Sequence, residues 1–330
     1  MTLIQLRYLV AIADASLNIT LASQHVHATQ PGLSKQLKKL EEELGFQLFV
    51  RRGKSLASIT HAGQQVMRRA RKMLDEAANI RSIAANLRNE DQGELRIATT
   101  HTQARFALPE AISALNLQYP LVRVHLQPGG DRDVLAQLES GWADLAVISR
   151  AGAPPPLGVA LPAYRWNRVI LVPHQHPLTS RSHALSLADL AGQPLVSYES
   201  SLKPESSLRR AFETEGLSPQ IVMTASDADL IKIYVRAGLG VGVLAEMAIL
   251  PSDADLHSLD ADHLLPQCTT WIVLRRETIL REYVLDFIHK FAPHLARQDI
   301  TRALTEPSPR YWPPVPHWRE RNLADISASA

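Results

Sequence analysis

One cysteine in 330 residues, Cys268, leaves no partner for an internal disulfide and no cysteine-rich metal site. No run of about 18 apolar residues occurs, so no membrane span is expected. The first residues, MTLIQLRYLVAIADAS, carry no basic leader and no clean small-residue cleavage site. Arg7 and Asp14 interrupt them, and they read as a mature helix, not a signal peptide. These absences favour the cytoplasm. Catalytic signatures are missing as well. There is no G-x-S-x-G elbow, and Cys268 stands in no recognisable nucleophile context. His174 and His176 form an H-x-H pair with no carboxylate or thiol beside it, a weak metal signal. Gly238, Gly240 and Gly242 do not fit G-x-G-x-x-G and open no helix; tight turning into a buried strand explains them better. With no assembled nucleophile, base or metal set, an enzyme is disfavoured and no cofactor is expected.

What is present is a globular composition, 45% hydrophobic and 21% charged, in a chain long enough for two or three cored domains. Its net charge of +2 hides an asymmetry. Residues 1–89 hold 13 Lys/Arg against 6 Asp/Glu, a net of +7, which leaves −5 for the remainder. A basic module joined to an acidic body suggests nucleic-acid contact confined to one end, though charge alone is a weak signal.

The stretch ITLASQHVHATQPGLSKQLKKLEEELG reads as two short helices joined by a tight turn. In the second, Leu33, Leu37, Leu40 and Leu44 recur at helical spacing and face a core. Gln30, Ser34, Lys35 and Lys38 lie elsewhere on the helix. Pro31 suits a first turn and Gly45 the left-handed residue that ends a helix. Amide, hydroxyl and ammonium groups near a helix N-terminus suit the DNA major groove. An ordinary amphipathic helix pair would share the pattern. Neighbours decide between them: a first helix, Leu3 to Ala15, with Leu6, Leu9, Val10 and Ala13 inward, and a β-like stretch FQLFVRRGKSLASIT. That stretch is a hairpin, or wing, with Arg51, Arg52 and Lys54 around Gly53, placed to lie along phosphates.

Thr60 caps a long helix running to about Arg88. Val66, Ala70, Met73, Ala77, Ile80, Ala84 and Leu87 form a heptad seam along this helix, which at ~1.5 Å per residue runs roughly 45 Å. Dimerisation explains so long a seam better than packing on its own domain. From Gly93 the chain turns α/β. Strands are expected at 95–99, 122–126, 144–149, 168–172, 195–198, 220–224, 239–245 and 270–274, alternating with helices. This implies parallel sheets in two subdomains with a ligand cleft at strand C-terminal ends. The Pro-rich tail, EPSPRYWPPVPHWRERNLADISASA, is aperiodic and reads as disordered or loosely attached.

TTHTQARFALP (99–109) is the best pocket candidate, where a strand end meets a helix start. Thr100, Thr102 and Gln103 add neutral donors suited to a small anion; a capped helix without ligand fits equally well. Ser149 ends another strand facing the same cleft. The loop YESSLKPES offers Ser200, Ser201 and Lys203, whose ammonium matters only if it turns inward. Asp227 and Asp229 read as helix caps.

LASQHVHATQPGLSKQLKKLEEELGFQLFVR followed by LASITHAGQQV resembles the DNA-binding domain of LysR-type transcriptional regulators, and the resemblance extends over roughly residues 1–300. ATTHTQARFALP, the YRWNR motif at 164–168 and ASDADLIKIYVRAGLGVGVLAEMA resemble the CysB-like branch, which regulates sulfate and sulfonate assimilation and cysteine biosynthesis. The resemblance implies an α/β chain. A winged helix-turn-helix (1–59) and a linker helix (60–90) precede a two-subdomain, periplasmic-binding-protein-like (type 2) effector domain (91–300). Its subdomain I is 91–163 with 266–300, subdomain II is 164–265, and a tail follows at 301–330. It also implies a homotetramer built as a dimer of dimers, promoter DNA and RNA polymerase as partners, and sulfate, thiosulfate or an O- or N-acetylserine as effector. The branch's anion contacts fall on Thr100, Thr102 and Gln103, with Ser149 in place of a threonine. Trp166 keeps a pocket-side tryptophan. YESSLKPESS departs from the branch's glycine- and aromatic-containing pattern. On the DNA side, Gln30, Ser34 and Lys35 are expected at or beside base edges. Thr29 and the wing residues Arg51, Arg52 and Lys54 are expected at phosphates, with Pro31 and Lys38 in the same surface. Alternatives are a LysR-type regulator of another pathway with a different carboxylate effector, or a solute-binding protein of similar fold, which would need an export signal.

Overall fold

The computed structural model describes residues 1–53, 55–306 and 312–321. The chain divides into two compact units, one of residues 1–90 with 278–281 and the other of 91–277 with 282–330.

In the first unit, helices α1 (Leu3–Asp14), α2 (Ile19–His25) and α3 (Gln30–Leu44) precede strands β1 (Phe49–Arg52) and β2 (Ser55–Ile59) and helix α4 (His61–Leu87). Leu6, Leu9, Val10, Ile12, Leu33, Leu37, Leu40, Leu48 and Phe49 close a common core. Ile12 is the α1 residue inside, where Ala13 was expected. Gly45 ends α3 with φ +78°, the left-handed turn the sequence called for. The β1–β2 hairpin is antiparallel, Phe49 opposite Ile59 and Arg52 opposite Ser55. Thr60 caps α4 through Gly63 N–H at 2.9 Å. The heptad seam is divided. Ala70 is buried and Val66 packs against the head core, whereas Met73, Ile80 and Leu87 stand 44%, 67% and 80% exposed. Only the seam from Met73 onward is therefore open to a partner helix. Residues 278–281 join this unit through Asn79 and Asn86, which bond the Ile279 N–H and Leu280 carbonyl at 2.9 Å each.

The second unit holds two five-stranded sheets. One orders β4 (Val122–Pro128), β3 (Gly93–Thr99), β5 (Leu145–Ala151), β12 (Cys268–Leu274) and β6 (Val159–Trp166). The other orders β11 (Leu256–Asp260), β7 (Arg168–Pro173), β10 (Val241–Ala245), β8 (Pro194–Tyr198) and β9 (Gln220–Ala225). Helices α5 (His101–Phe106), α6 (Leu108–Gln118), α7 (Asp131–Ser140), α8 (Leu187–Ala191), α9 (Ser207–Thr214), α10 (Ala228–Arg236), α11 (Glu282–Phe291) and α12 (Arg297–Thr305) surround them. Parallel sheets were expected, and each sheet proves to be mixed. β12 runs antiparallel to β5 and β6, and β7 antiparallel to β10 and β11. Each sheet with its helices forms a lobe, lobe I around β3–β6 and β12 and lobe II around β7–β11. Tyr164 to Trp166 therefore fall in lobe I, although the second subdomain was expected to begin at 164. The antiparallel strands arise because the chain passes between lobes without a helical crossover. β6 and β11 were not anticipated as strands.

The tail also departs from expectation. Residues 301–305 complete helix α12, and residues 312–321 pack within the second unit, pairing His317 with Arg165. The rest of the expected tail, 307–311 and 322–330, lies outside the described residues. Among the described residues no helix is long and apolar enough to cross a membrane, and no group of three His, Cys, Asp or Glu could hold a metal ion.

Gly63 shows how tightly α4 seats on the wing: a Cβ there would lie 2.1 Å from the Leu48 carbonyl oxygen. Gly63→Ala is expected to destabilise the head by roughly 1–3 kcal/mol through overpacking, read as a lower denaturant midpoint with unchanged slope.

Candidate functional site

Helix α3 presents two faces. Leu33, Leu37 and Leu40 are buried, while Thr29, Gln30, Pro31, Lys35 and Lys38 are exposed and Ser34 is half-buried. Thr29 is the N-cap; its hydroxyl accepts from Gly32 N–H at 3.2 Å, so its first duty is local. Lys38 faces Glu42 one turn on, at 3.6 Å in the open, a pairing that holds it only weakly. Arg51 differs from expectation. Its guanidinium bonds Glu41 at 2.9 Å, although the side chain stays 42% exposed. Glu41 itself is buried and also accepts Leu48 N–H at 2.8 Å. The sequence reading missed this carboxylate, set in a run of three glutamates that looks solvated. It ties the wing to α3, so Arg51 aligns the two elements before it can serve any phosphate. Arg52 is exposed, and Lys54 lies outside the described residues.

In the second unit a cavity of about 180 Å³ opens between the two sheets. Thr100, Thr102, Gln103, Ser149, Trp166 and Lys203 all line it. Their roles differ. Thr100 is the N-cap of α5, but its hydroxyl makes no capping bond. Thr102 lines the cleft with Tyr198 of the other sheet, whose phenol accepts the Ala245 N–H at 3.3 Å and whose pKa burial pushes up. Gln103 is fully buried and largely occupied. Its amide N–H donates to Ser149 Oγ at 3.0 Å, and its carbonyl accepts the Tyr164 hydroxyl. The Trp166 indole N–H donates to Thr270 Oγ1 at 3.1 Å, and Thr270 bonds Ser149 at 2.8 Å. Gln103, Ser149 and Trp166 thus form the polar floor of the cleft, while Thr100, Thr102 and Lys203 stand at its mouth. Ser201, expected to be available, is buried against Ser197 at 2.8 Å.

Several functional neighbours escaped the sequence reading. Tyr164 and Thr270 complete the floor. Strand alternation from Trp166 could have found Tyr164, two residues back on the same face of β6. Asp131 and Glu199 bring carboxylates to the lining, and His101 and Ser226 join them. Burial raises the Asp131 pKa against the opposing pull of Lys203 and Arg150. Asp227 is the cap it was expected to be, whereas Asp229 instead bonds Arg105 of the other lobe at 2.5 Å.

Two family models match the chain. That described as "Bacterial regulatory helix-turn-helix protein, lysR family" covers residues 3–64, and "LysR substrate binding domain" covers 88–296. Among curated relatives, the HTH-type transcriptional regulator CysB of Haemophilus influenzae is 42% identical over 299 residues, 91% of this chain and 92% of its own. The regulator SsuR of Burkholderia cenocepacia is 38% identical over 92% of this chain and 98% of its own. The crystal structure of the cofactor-binding domain of the Cbl transcriptional regulator is 38% identical with a TM-score of 0.61, covering 66% of this chain and 95% of that one. A head with an exposed polar helix face, a lined cleft between two mixed sheets and these likenesses agree: the chain belongs to the LysR family, a DNA-binding transcriptional regulator with an effector-binding domain and not an enzyme.

Proposed function

We propose that this regulator governs sulfur metabolism, that is, sulfate and sulfonate assimilation and cysteine biosynthesis, through a small anionic effector in the interlobe cleft. It works in the cytoplasm as a dimer of dimers on promoter DNA and engages RNA polymerase there. Gln30, Ser34 and Lys35 meet base edges or their neighbours, with Pro31 and Lys38 beside them. Thr29, Arg52 and Lys54 meet phosphates, and Arg51 joins them from its place on Glu41. The open seam from Met73 to Leu87 supports pairing of α4 with a second copy. The effector changes the angle between lobes and so the bending of bound DNA.

The observation that carries the effector reading is the company of Thr100, Thr102 and Lys203 above a floor of bonded Gln103, Ser149 and Trp166. Hydroxyls and one ammonium around about 180 Å³ suit sulfate, thiosulfate or an acetylserine. Asp131 and Glu199 in the same lining favour a ligand with a cationic group beside its anion, which O-acetylserine has and sulfate lacks. A thermal-shift series with sulfate, thiosulfate and both acetylserines separates these ligands. A different small carboxylate that alone stabilises the protein would move the regulator to another pathway.

Lys35→Ala is expected to weaken operator binding by roughly tenfold at fixed moderate salt while the oligomer stays intact; unchanged affinity in a gel shift refutes the role. Thr102→Ala is expected to blunt the effector response and leave DNA binding unaltered. A full response across an effector titration would put the ligand elsewhere. For sulfate, the ionised Asp131 opposes binding. Affinity therefore rises as pH falls from about 7 toward the carboxylate range and Asp131 takes up a proton. Asp131→Asn should bind sulfate more tightly at neutral pH and lose that part of the pH slope, as titration calorimetry would record.

A further inference from the structure

The chain passes between the lobes twice: at Asn167, between β6 and β7, and through 261–267, between β11 and β12. The crossings are fastened together. Gln267 donates to the Asn167 side-chain carbonyl at 3.2 Å, and Arg168 to the Pro266 carbonyl at 3.2 Å. Asn167 N–H donates to the buried Glu246 carboxylate at 2.7 Å, and Glu246 N–H returns a bond to the Asn167 carbonyl at 3.0 Å.

Residues 312–321, WPPVPHWRER, lie across this joint. β6 is an edge strand, so its outer amides need acceptors. The Pro316 carbonyl takes Arg165 N–H at 2.9 Å, and the Val315 carbonyl takes Arg165 Nε at 3.0 Å. Prolines can serve such an edge only as acceptors, which fits this one-sided pairing. Beyond this point the segment reaches both lobes. The Trp318 ring packs on Tyr164 at 5.1 Å between centroids, and the Arg321 guanidinium lies 4.6 Å from the same ring. Arg319 bonds Glu246 at 2.7 Å and reaches Asp260, the last residue of β11, at 3.4 Å. His317 Nε2 stands 3.3 Å from Glu246.

The two contacts lead to one side chain. Tyr164, under Trp318, gives its hydroxyl to the Gln103 carbonyl. Glu246, under Arg319, is followed by Met247, whose sulfur accepts from the Gln103 amide at 3.7 Å. Gln103 is thus held from lobe I through Tyr164 and from lobe II through Met247, and the strap bears on both holds. We propose that residues 312–321 form a brace over the interlobe joint and that Trp318 and Arg319 are positioning residues, which set Gln103 and with it the floor of the cleft. The significance of that floor for an effector rests on the reading above; the coupling of strap to Gln103 does not.

Amide hydrogen exchange on the full-length protein tests this without any ligand. The informative segment is 101–106, which Trp318 and Arg319 reach through Tyr164 and through Glu246 with Met247. W318A is expected to speed exchange there at least about fivefold, W318F to restore the wild-type rate, and Y164F to reproduce the loss. R319A, a change at a side chain 61% exposed, keeps the fold and is expected to speed exchange at 245–249 and again at 101–106. A merely structural strap would alter 164–168 and 245–249 alone. Unchanged exchange at 101–106 in both W318A and R319A overturns the proposal, as does an equal loss in W318F and W318A. Sulfate and O-acetylserine are then added to the wild type. If neither slows exchange at 101–106 while the variants still speed it, the coupling stands and the effector assignment fails.

Discussion

The bond from Asn167 N–H to the buried Glu246 carboxylate is the constraint on which the effector unit turns. A carboxylate removed from water must keep its partners, because an uncompensated buried charge costs several kcal/mol. Glu246 keeps Asn167, His317 and Arg319. These partners come from the first crossing and from the strap, while Glu246 itself belongs to lobe II. Both passages of the chain between the lobes are bonded together here, and a few residues at element ends are what absorbs a hinge rotation in two-lobed proteins. The same point lies one residue from Trp166 and one from Met247, both in contact with the network of the cleft floor. Geometry at the joint and geometry at the cleft are therefore not independent.

The cleft is neutral where it is best ordered and charged where it is open. Gln103, Ser149, Thr270, Tyr164 and Trp166 bond one another, which fixes each hydroxyl and amide before any ligand arrives. Pre-fixed dipoles reorganise little on binding, so such a floor discriminates by shape and hydrogen bonding more than by net charge. Around it stand Lys203 of one sign and Asp131 and Glu199 of the other. One ion pair, Arg105 to Asp229, joins the two sheets beside the cleft.

In the head, one buried acid performs a comparable task. Glu41 gathers two backbone N–H groups and Arg51, and so sets the wing against α3. The exposed apolar residues of α4 make a different statement. Burying a side chain of the size of Met73, Ile80 or Leu87 is worth about 1.5–3 kcal/mol each, so a stripe left in water on a long helix favours its pairing with another copy.

Sequence alone determined whatever depends on local periodicity and local chemistry. The leucine stripe of α3, the left-handed Gly45, the Thr60 cap and the β3–α5 junction at TTHTQAR are short-range features, and spacing reveals them. Thr100, Thr102, Gln103, Ser149, Trp166, Ser200 and Lys203 line one cavity because strand ends in an α/β unit converge on one side, whereas Ser201 turns inward to Ser197. Tertiary structure decided what those side chains do once there. Whether Gln103 is offered to a ligand or held by Tyr164 depends on a residue 61 positions away. Whether Glu41 is a solvated acid or an internal anchor depends on a hairpin that folds back over it. β6 and β11 gain their strand character from partners far along the chain, and residues 312–321, without periodicity of their own, are placed by an edge strand and a buried carboxylate that their sequence does not contain. Such pairings form over long loops, and no window of neighbouring residues records them.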